Sequence, residues 1–167
     1  MKPSTLRILF VCMGNICRSP TAEGVLRAKL AQAGLSAHVM VDSAGTHNFH
    51  PGSPPDQRSQ QYALQRGYDL SRLRARQISD SDYAQFDMIF AMDWDNLALL
   101  QADCPPAHAH KLQLFMQHAD LNTAHDEIVP DPNHGTESGF EQVLDLLEAA
   151  SDGLVNKLLT RLKNDRK

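Results

Sequence analysis

A nine-residue stretch near the N-terminus constrains this chain more than any other feature. It spans residues 12–20 with the sequence Cys-Met-Gly-Asn-Ile-Cys-Arg-Ser-Pro, and it follows the apolar run of residues 6–11. The apolar run predicts a buried strand, and Gly14 and Asn15 are of the types that tolerate a positive φ in a tight turn. Ser19 suits an N-cap and the proline after it suits a first helical position, so a helix is predicted to begin there.

A strand, a tight loop and a helix start in this order predict a site for an oxyanion, because the helix directs its positive dipole end and unpaired N–H groups at the loop. Cys12 would lie in that field, where a thiol can ionise at neutral pH and act as a nucleophile. Arg18 offers a planar guanidinium that can hold phosphate through two hydrogen bonds. Ser19 could donate a hydrogen bond to the sulfur. The loop residues predicted to surround the phosphate are Met13, Gly14, Asn15, Ile16, Cys17 and Ser19.

The composition fits one ordinary globular domain over residues 1–167, with 42% hydrophobic and 22% charged residues. The net charge of −4 and the lack of a basic run argue against nucleic acid as the main partner. No segment approaches the ~18 apolar residues of a membrane span, and the N-terminus lacks a signal-peptide pattern. We therefore expect a cytoplasmic protein.

The cysteines and histidines favour thiol chemistry over a metal site. Three cysteines, two of them in one loop, suit a reducing compartment better than a disulfide framework. Cys104 with His108 and His110 forms only a scattered set that lacks a fourth zinc ligand. We expect neither a metal nor another cofactor.

Strand and helix signals alternate along the chain, which predicts an α/β fold with a doubly wound parallel sheet and helices on both faces. Ligands bind such sheets beyond the carboxyl ends of the strands, where the loop at residue 12 lies. The predicted strands are residues 6–12, 39–41, 87–92 and 111–116. The predicted helices are residues 20–34, 54–66 with Ser53 as cap, a short helix from Asp93 or Asp95 to 101, and 137–163 with an interruption at 151–153.

Five segments together resemble the low-molecular-weight protein tyrosine phosphatases, and the likeness covers nearly the whole chain. The segments are residues 11–20, Ser-Ala-Gly-Thr at 43–46, Ala-Arg-Gln-Ile at 75–78, Ala-Met-Asp at 91–93 and Val-Pro-Asp-Pro at 129–132. The resemblance implies a flavodoxin-like strand order 2-1-3-4 and metal-free phosphomonoester hydrolysis. It also implies a phosphotyrosine protein as substrate, with a bacterial tyrosine kinase as one candidate.

The resemblance implies further roles, for residues both inside and outside the loop. Asp131 would be the general acid that protonates the leaving phenolate and then the base that activates water to hydrolyse the phosphocysteine. Asn15 and Ser43 would hold the loop in shape. Cys17 could form a reversible disulfide with Cys12 after oxidation and so protect the nucleophile.

This sequence departs from the family pattern beside the pocket. Many relatives follow the Asp-Pro pair with two tyrosines, whereas here Asn133 and His134 make that side of the rim polar. Phe49 and Met13 match apolar rim positions, and Trp94 is a candidate to replace the missing ring. Leu73 stands where relatives often carry a histidine that supports the loop.

Other functions stay open at this point. In arginine phosphatases of this fold a threonine tends to follow the loop asparagine, whereas Ile16 favours an aryl phosphate. Arsenate reductases need two further cysteines, and Cys104 alone does not supply them. The sequence does not distinguish a general aryl or acyl phosphatase, which acts on small molecules, from a phosphatase that acts on proteins. A phosphate-reading binding protein would be expected to lose the nucleophile or the acid, and both Cys12 and Asp131 are present.

Overall fold

The computed structural model describes residues 5–120, 127–132 and 137–167. Four parallel strands form one sheet in the order β2-β1-β3-β4, which confirms the predicted α/β fold and strand order. The strands are β1 (Leu6–Cys12), β2 (Val39–Gly45), β3 (Met88–Ala91) and β4 (Leu112–Leu114). The helices are α1 (Arg18–Gln32), α2 (Gln57–Gln65), α3 (Asp80–Gln85), α4 (Trp94–Asp103) and α5 (Glu137–Asp165), with 3-10 helices at Pro106–Lys111 and Phe115–His118.

Strand β1 lies in the middle of the sheet and is buried on both faces, which explains its continuous apolar sequence. Ile8, Phe10 and Cys12 belong to the core cluster that α1 and α5 cover. Leu9 and Val11 belong to the cluster that α3 and α4 cover. The two-residue alternation of a strand therefore places Cys12 at the carboxyl end of the central strand, on the α1 face.

Two helix starts differ from the prediction. Helix α1 begins at Arg18 with Cys17 as the N-cap residue, because the Ser19 side chain is committed to other partners in the loop. Helix α2 begins at Gln57 and is capped by Asp56, whose carboxylate accepts from the N–H groups of residues 58 and 59. The prediction of Ser53 as the cap was wrong.

The C-terminal helix was also predicted with a break that is absent. Helix α5 is continuous through residues 151–153. Gly153 is needed there for close packing, because a Cβ on it would lie 1.7 Å from the carbonyl oxygen of His118. Strand β4 is shorter than predicted, since 3-10 helices take up both ends of the predicted segment, and the short helix α3 was not predicted.

Candidate active site

The loop of residues 12–18 joins β1 to α1 and is fastened to the neighbouring segments by its backbone. The carbonyls of Cys12 and Met13 accept from the N–H groups of residues 46 and 47 at 2.8 and 3.0 Å. Asn15 adopts a φ of 58°, as predicted for a turn residue, whereas Gly14 is not among the positive-φ glycines of the described residues. Gly45 is required by close approach, since a Cβ there would lie 2.8 Å from the Met13 carbonyl oxygen.

A chain of hydrogen bonds leads through the loop to the Cys12 sulfur. The Ser19 hydroxyl lies 3.0 Å from Cys12 Sγ, and Asn15 Nδ2 donates to Ser19 Oγ at 2.7 Å and to Ser43 Oγ at 3.0 Å. Asn15 Oδ1 accepts from the Arg76 N–H at 3.0 Å, which fixes the orientation of the amide. Ser19 accepts from Asn15, so its own proton can go either to the sulfur at 3.0 Å, where it would stabilise a thiolate, or to the Ala44 carbonyl oxygen at 3.4 Å.

The series of hydrogen bonds ends at a buried carboxylate, that of Glu23, which was not predicted from the sequence. The Ser43 hydroxyl donates to Glu23 Oε1 at 2.8 Å, and Glu23 is only 2% exposed. Burial raises the pKa of Glu23, while Arg27, at 2.7 Å from Oε2, and the Ser43 hydroxyl act in the opposite direction. This acceptor directs the Ser43 proton away from Asn15. The sequence signal was faint, because an acidic residue in a helix after the loop is usually exposed.

Arg18 is buried beneath the loop and is held by two other segments. Its Nη1 donates to Asp93 Oδ2 at 2.5 Å and to the Val129 carbonyl oxygen at 3.0 Å, and its Nη2 lies 3.9 Å from Asp131 Oδ2. The role of Asp93 as partner of Arg18 was also missed. Asp93 was predicted near the start of a short helix, where the structure has it as the N-cap of α4, but nothing in the sequence indicated its pairing with Arg18.

A small pocket lies over the loop, with a cavity volume of about 60 Å³. Its walls are residues 12–14 and 16–18 together with Phe49, His50 and Asp131. The three predicted catalytic side chains, Cys12, Arg18 and Asp131, therefore meet in one pocket. His50 was not predicted, although it follows Phe49 directly in the sequence.

Some of the residues predicted for the pocket rim line the pocket, and Trp94 does not. Phe49 lines the pocket, is 58% exposed, and stacks on His47 with ring centroids 4.8 Å apart. Met13 also lines it and is 40% exposed. Trp94 is exposed but is not among the residues that line the pocket. Asn133 and His134 lie outside the described residues.

Cys17 lies in the same loop but in a different environment from Cys12. All three cysteines are in the thiol form, so the loop contains no disulfide. Burial raises the pKa of the Cys17 thiol to about 12, against a hydrogen bond with Ser59 that acts in the opposite direction. Cys17 is therefore a neutral thiol at physiological pH, and its role as a redox guard stays a prediction.

Within residues 5–120, 127–132 and 137–167, no group of three or more His, Cys, Asp and Glu side chains is arranged to hold a metal ion. No helix among the same residues has the length and apolar character needed to span a bilayer.

Comparison with known proteins agrees with this geometry. The family model of the low molecular weight phosphotyrosine protein phosphatases matches residues 7–167. The chain belongs to this family. A Streptomyces coelicolor protein named low molecular weight protein-tyrosine-phosphatase is 41% identical over 152 residues, covering 90% of this chain and 92% of that protein. A Synechocystis protein named as a candidate member is 43% identical over 160 residues, covering 95% and 100%.

A solved structure shows the same fold. The crystal structure of a protein tyrosine phosphatase from Entamoeba histolytica, with Hepes in its active site, matches with a TM-score of 0.89 and 38% identity. The match covers 93% of this chain and 98% of that one. The predicted family resemblance is thus confirmed.

Proposed function

We propose that this phosphatase hydrolyses phosphotyrosine in proteins, with Cys12 as nucleophile, Arg18 as phosphate ligand and Asp131 as general acid and base. One observation carries the proposal: these three side chains, which come from separate parts of the chain, line one small pocket. The Hepes found in the active site of the Entamoeba protein carries a sulfonate, an oxyanion of similar shape to phosphate.

Phosphate binding follows from the position of the loop and of Arg18. The N-terminus of α1 and the Arg18 guanidinium both favour an anion in the pocket. Asp93 and the Val129 carbonyl hold Arg18 through Nη1, which leaves the rest of its planar guanidinium toward the pocket that Arg18 lines. A guanidinium held in this way needs little reorganisation when the phosphoryl group is transferred.

In the first half-reaction, the Cys12 thiolate attacks phosphorus while the bond from phosphorus to the tyrosine oxygen breaks. The Asp131 carboxylic acid gives its proton to the departing oxygen, so tyrosine leaves as a neutral phenol. In the second half-reaction, the Asp131 carboxylate takes a proton from water, whose oxygen attacks the phosphocysteine. The sulfur leaves as a thiolate, stabilised by the Ser19 hydroxyl at 3.0 Å, and inorganic phosphate is released.

The pocket favours an aryl phosphate. It is small, its inner wall includes Ile16, and the rim carries the exposed side chains of Met13 and Phe49. A flat ring attached to the phosphate can lie between such apolar groups, whereas a phosphoserine would not reach them. A bacterial tyrosine kinase is one candidate protein substrate.

The experiment is to measure kcat/KM without added metal for phosphotyrosine, phosphoserine and phosphoarginine peptides of one sequence, and for p-nitrophenyl phosphate. We expect phosphotyrosine to be preferred, and Cys12→Ser to lose at least about 10⁴-fold in kcat while keeping its fold. A preference for phosphoarginine would assign the chain to the arginine phosphatases. Equal rates on peptides and small aryl phosphates would indicate a general aryl phosphatase, and binding without turnover a phosphate reader.

A further inference from the structure

We infer that Phe140, in the first turns of α5, is a positioning residue for Asp131, acting through the contact between α5 and Pro132. This inference rests on the proposed role of Asp131 as the general acid. Phe140 does not line the pocket, so it has no contact with the reacting atoms. Its effect on Asp131 would be indirect, through the start of α5, which lies beside the segment that carries Asp131 and Pro132.

The start of α5 lies beside the residue that follows Asp131. A Cβ added to Gly139 would lie 3.8 Å from Pro132 Cβ and 3.9 Å from its Cα, so about the width of one methyl group separates Gly139 from Pro132. Pro132 is buried, and its ring limits the motion of the peptide that joins it to Asp131. A shift of the first turn of α5 would therefore displace Asp131.

Phe140 is one of the residues that fix this turn to helix α2, beside the ion pair between Arg66 and Glu141. Its ring stacks on Tyr62 with centroids 5.5 Å apart and planes inclined by 4°, and the Arg58 guanidinium carbon lies 4.9 Å from its centroid. Phe140 is only 4% exposed, so its ring is sheltered from water, whereas the Arg58 side chain that contacts it is half-exposed. Stacked rings and a cation near a ring face set an orientation as well as a distance.

Helix α2 is in turn bonded to the loop that carries the nucleophile. The Asp56 N–H, at the start of α2, donates to the Ile16 carbonyl at 2.8 Å. Ser59 of the same helix is hydrogen-bonded to Cys17. One helix thus contacts both the phosphate loop and the helix behind the acid, and so sets the position of Asp131 relative to Cys12.

The other end of the acid segment is anchored without α5. The Val129 N–H donates to the Met92 carbonyl at 2.8 Å, and the Val129 carbonyl accepts from Arg18. Loss of the Phe140 contacts should therefore move the Asp131 end and leave Arg18 and Cys12 in place. The expected defect is confined to proton transfer to the leaving group.

The test is the dependence of kcat/KM on the leaving group in Phe140→Leu. Phenyl phosphate releases a phenolate as basic as that of tyrosine and needs a proton, whereas 2,4-dinitrophenyl phosphate releases a phenolate that leaves without one. We expect a loss of about tenfold for phenyl phosphate and of less than about twofold for the dinitrophenyl ester. Tyr62→Leu, which removes the stacked ring from the α2 side, should show the same pattern and serves if Phe140→Leu does not fold.

Two controls separate positioning from a general structural effect. Val155→Ala truncates another buried residue of α5, far along the helix, and should leave the ratio of the two substrates as in the wild type. In an Asp131→Asn background, Phe140→Leu should cause no further selective loss, because the acid is already gone. Equal losses for both substrates in Phe140→Leu and Tyr62→Leu, or a full additional selective loss in Asp131→Asn, would overturn the inference. An Asp131→Asn variant that shows no selective loss by itself would instead overturn the proposed acid.

Discussion

Two buried regions of this phosphatase are closely packed for different reasons. The region around the loop of residues 12–18 buries polar side chains and joins them by hydrogen bonds of defined direction; they are Asn15, Ser19, Ser43 and Glu23. The contact between α5 and the 3-10 helix Phe115–His118 has an apolar core, and depends on the absence of a side chain at Gly153.

The two regions contribute differently to stability and to turnover. Hydrogen bonds among buried polar groups add little net stability, because the same groups bond to water in the unfolded chain, but they determine where each proton points. Apolar packing stabilises the fold with no preferred proton direction. Changes in the loop should therefore affect turnover more than stability, and changes at the α5 contact should do the reverse.

Gly153→Ala should have the largest effect on stability. In an open helix this change gains about 1 kcal/mol from propensity. Here the new methyl group would lie 1.7 Å from the His118 carbonyl oxygen, and the backbone would have to shift. We expect a net loss of about 2–3 kcal/mol in the free energy of unfolding, measured in urea, with kcat/KM of the folded enzyme changed less than about twofold. An unchanged or raised midpoint would show that this contact is not close-packed.

Ser19→Ala should produce the opposite pattern. Removing the hydroxyl withdraws the hydrogen bond to Cys12 Sγ, which is a thiolate in the proposed mechanism, and a bond to a charged group contributes about 1.5–3 kcal/mol. We expect kcat to fall by about 10- to 100-fold, while the unfolding free energy falls by about 1 kcal/mol or less.

A neighbouring hydroxyl provides the matched control for Ser19. Thr21 is buried in the same turn of α1, and its Oγ1 donates to the Cys17 carbonyl at 2.5 Å rather than to Cys12. Thr21→Val should leave kcat within about twofold of the wild type. Equal losses of activity in both variants would mean that any buried hydroxyl in this turn serves, and would remove the distinction between the regions.

The smallest expected effect is the change in the free energy of unfolding with pH that is due to His118. Burial, with Lys157 at 3.2 Å from Nδ1, lowers the pKa of His118 from 6.5 to about 4. Between these two values the unfolded chain binds a proton that the folded protein does not, so stability falls as the pH drops from 6.5 toward 4. With allowance for solvent near the exposed Lys157, the loss attributable to His118 is about 1–2 kcal/mol. Unfolding of the wild type and His118→Gln at both pH values measures it, and identical pH dependence of the two would contradict it.

Prediction from sequence succeeded where the information is local. The residues of the phosphate loop are contiguous, and their types alone predict a strand, a turn and a helix around an anion. The positive φ of Asn15 and the partnership of Cys12 with Ser19 follow from that short segment. The expectation that Asp131 lies at the site depended on the family resemblance, because an Asp-Pro pair by itself predicts only a turn.

Prediction failed where two distant segments decide the outcome. Ser53 and Asp56 are both good capping residues, and the choice of Asp56 is reinforced by its N–H bond to Ile16, about forty residues earlier in the chain. Gly153 resembles a helix break until the carbonyl it packs against is known. The pairing of Arg18 with Asp93 and the burial of Glu23 likewise depend on which strands and helices become neighbours.

In the proposed mechanism turnover passes through a phosphocysteine on Cys12, and the decisive experiment is to trap that intermediate. The wild type would be mixed with p-nitrophenyl phosphate, quenched in acid within milliseconds, digested and analysed by mass spectrometry. We expect one phosphoryl group on the peptide containing Cys12, formed as fast as the burst of p-nitrophenol and absent in Cys12→Ser. A phosphoryl group on another residue, or turnover retained in Cys12→Ser, would contradict it.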